Sequence, residues 1–414
     1  MERFLTPTGA VSFLAGAIII VATVTSIVRS MLIPLPRVTL VSRGSRNAVQ
    51  AIAWFVAGRF RTYARQDAVL SAVGPVSVLI ELLLIITMFL FGFAFMIYGV
   101  SPVDLSEALL QSGSTLLTLG IVGRDNAAQV VVNFLAALAG VAIVAILIGY
   151  LFSLYSAYTS RESRVSRSSV RAGEPAWGPE ILCRRQLSGK PPLSSDSGWS
   201  EWVSDMRSSQ TMYPVLNHFR SYTPNRSWVT TLLAMLDATA LQATVCETQG
   251  VEPDTEFLVT GAQTFTVLLR NHNQHRISFR RELLPVARTP AAALTAGEAA
   301  VFRAVVADDR RSAEATGTSS PTEVAHCSLT REEFDFALGL MERCGVPLRE
   351  DREAAWVAFR QIRATYEACA TSLARTLHAV PAPWSGSRRL GITTMWPTLA
   401  ADELSHGEGG QPRR

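Results

Sequence analysis

Lysine is nearly missing from this chain: Lys190 is alone among 38 basic residues, and all the others are arginine. With abundant alanine beside it, that bias is the expected mark of a GC-rich bacterial coding sequence. Cysteine is also scarce. Cys183, Cys246, Cys327, Cys344 and Cys369 are odd in number and show no CxxC spacing. A disulfide framework and a thiolate metal site are both disfavoured, and reduced thiols in a cytoplasmic compartment are expected. The net charge of +4 over 414 residues leaves no strongly basic face, so no nucleic-acid partner is expected. Strand signals are few, and no Gly-rich phosphate loop follows one, so no nucleotide-binding regulatory domain is visible. No catalytic residue can be named, no enzyme is expected and no cofactor is implied. His272 and His275 lie three apart in a polar run but lack a carboxylate or thiolate companion, so no metal site is assigned.

Charge itself is missing from three long stretches. The first runs from Ala10 to Val28 and ends at Arg29. Its apolar part is longer than a signal-peptide core, and no small-residue cleavage site follows, so an uncleaved helix is expected. The second, Val76 to Val100, is interrupted only by Glu81, and the third carries no charge between Asn126 and Ser160. Each meets the roughly 20 residues needed to cross a hydrocarbon core about 30 Å thick. Arginines set the expected orientation. Arg29, Arg37, Arg43, Arg46, Arg59, Arg61 and Arg65 crowd the first linker, and Arg161, Arg164, Arg167 and Arg171 follow the third stretch. By the positive-inside rule these segments face the cytoplasm, with residues 101–126 and the amino terminus outside an inner (cell) membrane. Within the basic linker, 36–74, an apolar patch at Asn47–Phe60 containing Trp54 suits either an interfacial helix or one packed on the bundle.

Between the second and third spans, Ser106 to Leu117 reads as a short helix that stops at Thr118-Leu119-Gly120. Irregular backbone at membrane depth survives only where protein buries it or water lines it. A span, a short helix ending in a Gly-bearing turn and a second span resemble the single-pore-loop potassium channels, in a two-transmembrane arrangement with an extra leading helix. The resemblance covers about residues 75–158: outer helix 76–100, pore helix and filter-like turn 103–123, inner helix 127–158.

It implies an all-α polytopic membrane protein built as a homotetramer in the lipid bilayer, with potassium or another monovalent cation as permeant ion. Thr118, Leu119, Gly120, Ile121, Val122 and Gly123 would line the filter. The departures are Ile121 in the aromatic position and Val122 where the pattern has its second glycine, unless Gly123 serves after a one-residue insertion. Valine does not readily adopt the positive φ that glycine does there. Asp104, Glu107 and Asp125 would ring the outer mouth. The resemblance also makes Gly140 a gating hinge, although its small neighbours suit close helix packing as well, and Gly149 is a second glycine of the same span. Glu81 is an intramembrane carboxylate near the cytoplasmic side, for which a structural role is expected. The alternative function is a non-conducting scaffold or signalling protein that keeps the pore fold for oligomerisation.

Beyond the spans, residues 159–210 read as a juxtamembrane segment running into a loose linker, 211–380 as a mainly helical cytoplasmic domain, and 381–414 as a disordered tail. Ser227 is the expected N-cap of a helix to about Cys246, buried in the core rather than a fourth span. Another helix is expected over Asp254–Asn271. Thr330 to Glu333 reads as a capping box opening a helix that stops at Gly345, and one longer helix is expected over Glu350–His378.

Overall fold

The computed structural model describes residues 6–29, 40–60, 62–119, 126–194, 198–247, 253–274 and 327–385. They are mostly helical, and a lone bridge between Cys246 and Leu348 is the nearest thing to a sheet among them. The chain divides into two compact units, one holding residues up to Phe60 with Val69–Ala157, the other Arg61–Ala68 with Tyr158 onward.

The first unit contains α1 (Pro7–Ile27), α2 (Leu40–Ala57), all of α4 and α5 (Val73–Val100 and Leu105–Leu116) and the first two-thirds of α6 (Ala127–Ala172). The short α3 (Tyr63–Ser71) leads into α4. Three helical stretches are long and apolar enough to cross a membrane: Pro7–Ile27, Tyr63–Val100 and Ala127–Ala172, with mean hydropathies of 2.3, 2.6 and 2.8. This is a membrane-embedded helical protein. Helices α1 and α4 run antiparallel with glycines at their contact: a Cβ on Gly16 would lie 2.4 Å from the Gly92 carbonyl oxygen, and one on Gly99 2.7 Å from that of Gly9. Small residues bring backbones together where lipid offers no hydrophobic drive for association. Phe89, Phe93 and Ile97 of α4 then pack with Ala108 and Leu116 of α5 and with Val132 and Ala136 of α6. Leu14, Ile18, Leu138 and Phe152 stay exposed, as lipid-facing side chains do. Helix α2 sets Val49 and Ala57 against Leu70 and Val73, while Ile52 and Phe55 on its other side are exposed. Packing on the bundle is therefore observed, and the opposite face keeps the apolar surface an interfacial helix needs.

In the second unit, α6 continues to Ala172 and is followed by α7 (Gly178–Leu187), α8 (Trp199–Met212), a short tight helix at Pro214–His218, α9 (Trp228–Thr244) and α10 (Thr255–Gln274). After the undescribed stretch come α11 (Arg331–Arg343), α12 (Arg352–Ala364) and α13 (Glu367–Thr376). The loose linker expected over 159–210 is not found in its described part: Val165, Trp177, Ile181, Cys183 and Val203 belong to the core. Its polar residues misled the reading because they are satisfied internally. Arg161 is buried, pairs with Glu162 and donates to the carbonyls of Leu216 (2.9 Å) and Phe219 (2.7 Å). The Ser168 and Ser169 hydroxyls donate to the carbonyls of Val165 and Ser166 in their own helix.

Helix α9 is buried at every position, as a central core helix must be. Ser227 occupies its N-cap without a side-chain bond, whereas the Thr330 capping box is fully formed. The long helix expected over 350–378 is two helices, broken at Thr365–Tyr366, a break that turns Tyr366 toward Asp237. The first residues of the expected tail are also ordered: Trp384 is buried and meets the Trp177 ring edge-on at 5.5 Å. Residues 386–414 lie outside the described residues.

Candidate pore segment

Helix α5 starts from Asp104, which holds extended backbone at the N-cap without lending its side chain, with Glu107 in the first turn where the helix dipole favours an acid. Two contacts fix how far the helix descends. Ser112 donates to the Leu90 carbonyl at 2.8 Å, and Leu90 lies about 15 Å along α4 from its end at Val100, at 1.5 Å per residue. At its far end, the Leu116 carbonyl oxygen lies 2.2 Å from where a Cβ on Gly140 would sit. Gly140 is about 20 Å along α6 from Ala127. Helix α5 therefore runs alongside both long apolar helices, back from the end of α4 and the start of α6.

A chain of polar side chains holds the top of this hairpin. Ser101 donates to Gln129 Oε1 (2.7 Å), Gln129 Nε2 donates to Gln111 Oε1 (2.6 Å), and Gln111 reaches back to Glu107 (3.4 Å). Asn126 caps α6 through the Gln129 amide (2.8 Å) and donates to the Val100 carbonyl (2.8 Å). The ends of α4, α5 and α6 are thereby tied together, and buried amides become affordable at that depth. One turn further along, the Thr115 hydroxyl and both ends of the Asn133 amide are buried without a hydrogen-bond partner among the described residues. Sequence reading missed this row; Gln129 and Asn133, spaced i,i+4 in an otherwise apolar span, were its signal.

The chain turns at the inner end of α5. Thr118 is left-handed (φ 58°), an uncommon and strained backbone for a β-branched residue. Leu119 N–H donates to the Ser114 carbonyl at 2.7 Å, and Leu117 and Leu119 are exposed on the single subunit. No basic residue stands in the last turn of the helix, so none there offsets the negative end of its dipole. Of the filter-like residues, Thr118 and Leu119 follow directly on this end, whereas Gly120, Ile121, Val122 and Gly123 lie outside the described residues, as does Asp125 at the expected outer mouth. Asp104 and Glu107 are exposed at the opposite end of α5. Gly140 is tightly packed, Gly149 has open space around its Cα, and Glu81 of α4 is half-buried.

The helical unit has its own buried polar cluster. Asp237 of α9 accepts from Arg363 (2.7 Å) and Tyr366 (2.9 Å), and Arg363 also donates to the Trp384 carbonyl (2.6 Å). Burial outweighs these partners and pushes the Asp237 carboxyl up to about 6. Burial also drives the Cys246 and Cys327 thiols to about 12, so they are poor nucleophiles. The cluster is sealed inside the core and has the character of a structural lock. His272 lies beside the His218 ring, its expected companion His275 is outside the described residues, and no group of three potential metal ligands occurs among the described residues. No family model, curated protein or solved structure matches this chain.

Proposed function

We propose that the protein is a cation channel of potassium-channel-like design, assembled as a homotetramer around α5 and the turn that follows it. The observation that carries this reading is the course of α5: a short helix beside two membrane-length helices, with no basic residue in its last turn and a left-handed Thr118 directly after it. A membrane-depth turn of this kind needs shielding by protein or a water path, and neighbouring copies around one axis provide both. Four such carbonyl ends aimed at one cavity would stabilise a cation there. In this reading Thr118 to Gly123 form the constriction, Asp104, Glu107 and Asp125 gather cations outside, and Gly140 lets the inner helix bend. The helical unit, on the cytoplasmic side of an inner membrane, gates the pore or assists assembly.

The test is cation flux through liposomes holding purified tetramer. Flux in the wild type that falls with Leu119→Arg supports the channel. Val122 favours a second reading, a non-conducting membrane scaffold, because it stands where the resembled filter needs glycine. Flux that appears only in Val122→Gly identifies a pore fold closed by its own filter. Intact tetramers that pass nothing in either protein sink conduction, and a monomer sinks the pore reading altogether.

A further inference from the structure

We infer that a cavity in the helical unit, walled by Arg164, Arg167 and Arg171 of α6 and Arg185 of α7, binds a phosphate-bearing anion with an apolar or aromatic body. Its volume is about 310 Å³, at the small end of ligand cavities, which run roughly 300–1,000 Å³. The three α6 arginines lie on one face at i, i+3 and i+7. Among the described residues no carboxylate lines the cavity, although Glu201 lies close enough to Arg164 to offset part of its charge; Ile181, Met235 and Trp199 form the apolar side.

Arg167, Arg171 and Arg185 have no carboxylate partner among the described residues. Arg185 donates to the neutral carbonyls of Pro191 and Pro192, which orient it without cancelling its charge. Arg164 lies over the Trp199 ring, 4.6 Å from the centroid, and Arg167 donates to the Ser163 hydroxyl at 2.7 Å. Arg171 makes no hydrogen bond or ion pair among the described residues. Burial, and then repulsion from Arg171, lower the pKa of Arg185, and a multivalent anion between the two guanidiniums would relieve that repulsion. Planar, forked guanidiniums suit tetrahedral phosphate oxygens, which accept two bonds from each. The Trp199 face and the apolar wall account for the second part of the ligand. No glycine-rich loop is involved, so sequence motifs do not reveal the site. The inference stands independently of the pore proposal.

Two sources carry this chemistry: a soluble organophosphate such as a nucleotide, and a phospholipid headgroup, since basic clusters following an apolar span attract anionic lipid. Full-length protein in phosphatidylcholine nanodiscs is titrated with ATP and with inorganic pyrophosphate, and in parallel is reconstituted with phosphatidic acid. Melting and Trp fluorescence report binding. Saturable stabilisation in either arm, weakened about tenfold or more by Arg171→Gln, supports the site and names the source. Arg171 is exposed and unpartnered, so that variant keeps the fold, and an unchanged melting temperature without ligand verifies it. The inference is overturned if neither arm stabilises the wild type, or if Arg171→Gln and Arg167→Gln respond as the wild type does.

Discussion

At residue 140 even one added carbon would collide with main chain. The Leu116 carbonyl oxygen lies 2.2 Å from the place a Cβ would take, and backbone yields less readily than a flexible side chain. Gly140→Val is therefore expected to destabilise the membrane unit by about 1–3 kcal/mol, the range for overpacking, and to displace the inner end of α5. Gly149→Val, at a glycine with open space around it, is the matched control, and thermal melting in detergent compares the two. A second residue-scale prediction concerns Asp237, whose carboxyl titrates near 6 when folded against about 3.9 in an unfolded chain. Between those values the native state holds the extra proton. The stability this group contributes is fully present below about pH 4 and is lost as pH rises through about 6. The melting temperature of the wild type should fall relative to Asp237→Asn between pH 4.5 and 6.5, and a flat difference would refute the assignment.

Elements show how far sequence alone reaches and where it stops. The apolar runs and the Thr330 capping box declare themselves, because hydropathy and caps act over one helix. The core role of residues 161–193 did not. Arg161 and Ser168 look solvent-loving in sequence, and only tertiary carbonyls and their own helix reveal them as buried. The break at Tyr366 was hidden for the same reason: its cause is Asp237, 129 residues away. At the pore segment, the helix and its stop were readable, whereas the Ser101–Gln129–Gln111 chain depends on three elements meeting. Gln129→Leu removes the middle of that chain: the Gln111 side-chain carbonyl loses its Gln129 donor and the Ser101 hydroxyl its Gln129 acceptor. The expected loss is about 1–3 kcal/mol, with faster hydrogen exchange over α5 than over α4. The antiparallel α1–α4 contact makes a complementary case. Gly92→Leu would drive a side chain into Ile20 and the Gly16 backbone, so α1 should become accessible to protease while the α4–α5 contact persists.

For the whole molecule, the question is how the helical unit could act on membrane helices, and the chain's own path supplies the route. Helix α3 begins within the helical unit, yet it leads directly into α4. Its first turns are held by Arg220, which donates to Asp67 Oδ1 (2.5 Å), to the Tyr63 hydroxyl (2.8 Å) and to the carbonyls of Leu377 and His378. His378 stacks on Tyr63, with centroids 5.6 Å apart, and bonds Gln66 at 3.0 Å. One guanidinium thus joins the end of α13 to the segment that leads into α4, with Asp67 buried beside it. Arg220→Ala strands that carboxylate, and removing one partner of a buried pair costs about 3–5 kcal/mol. A variant that merely weakened the helical core would lose protection throughout it. If the clasp is local, hydrogen exchange should accelerate at residues 63–68 and 377–380, while α9 and the α1–α4 contact keep wild-type protection. If the clasp also transmits gating, the same substitution should change the flux of a conducting tetramer without altering its ion preference, because no filter residue has been touched.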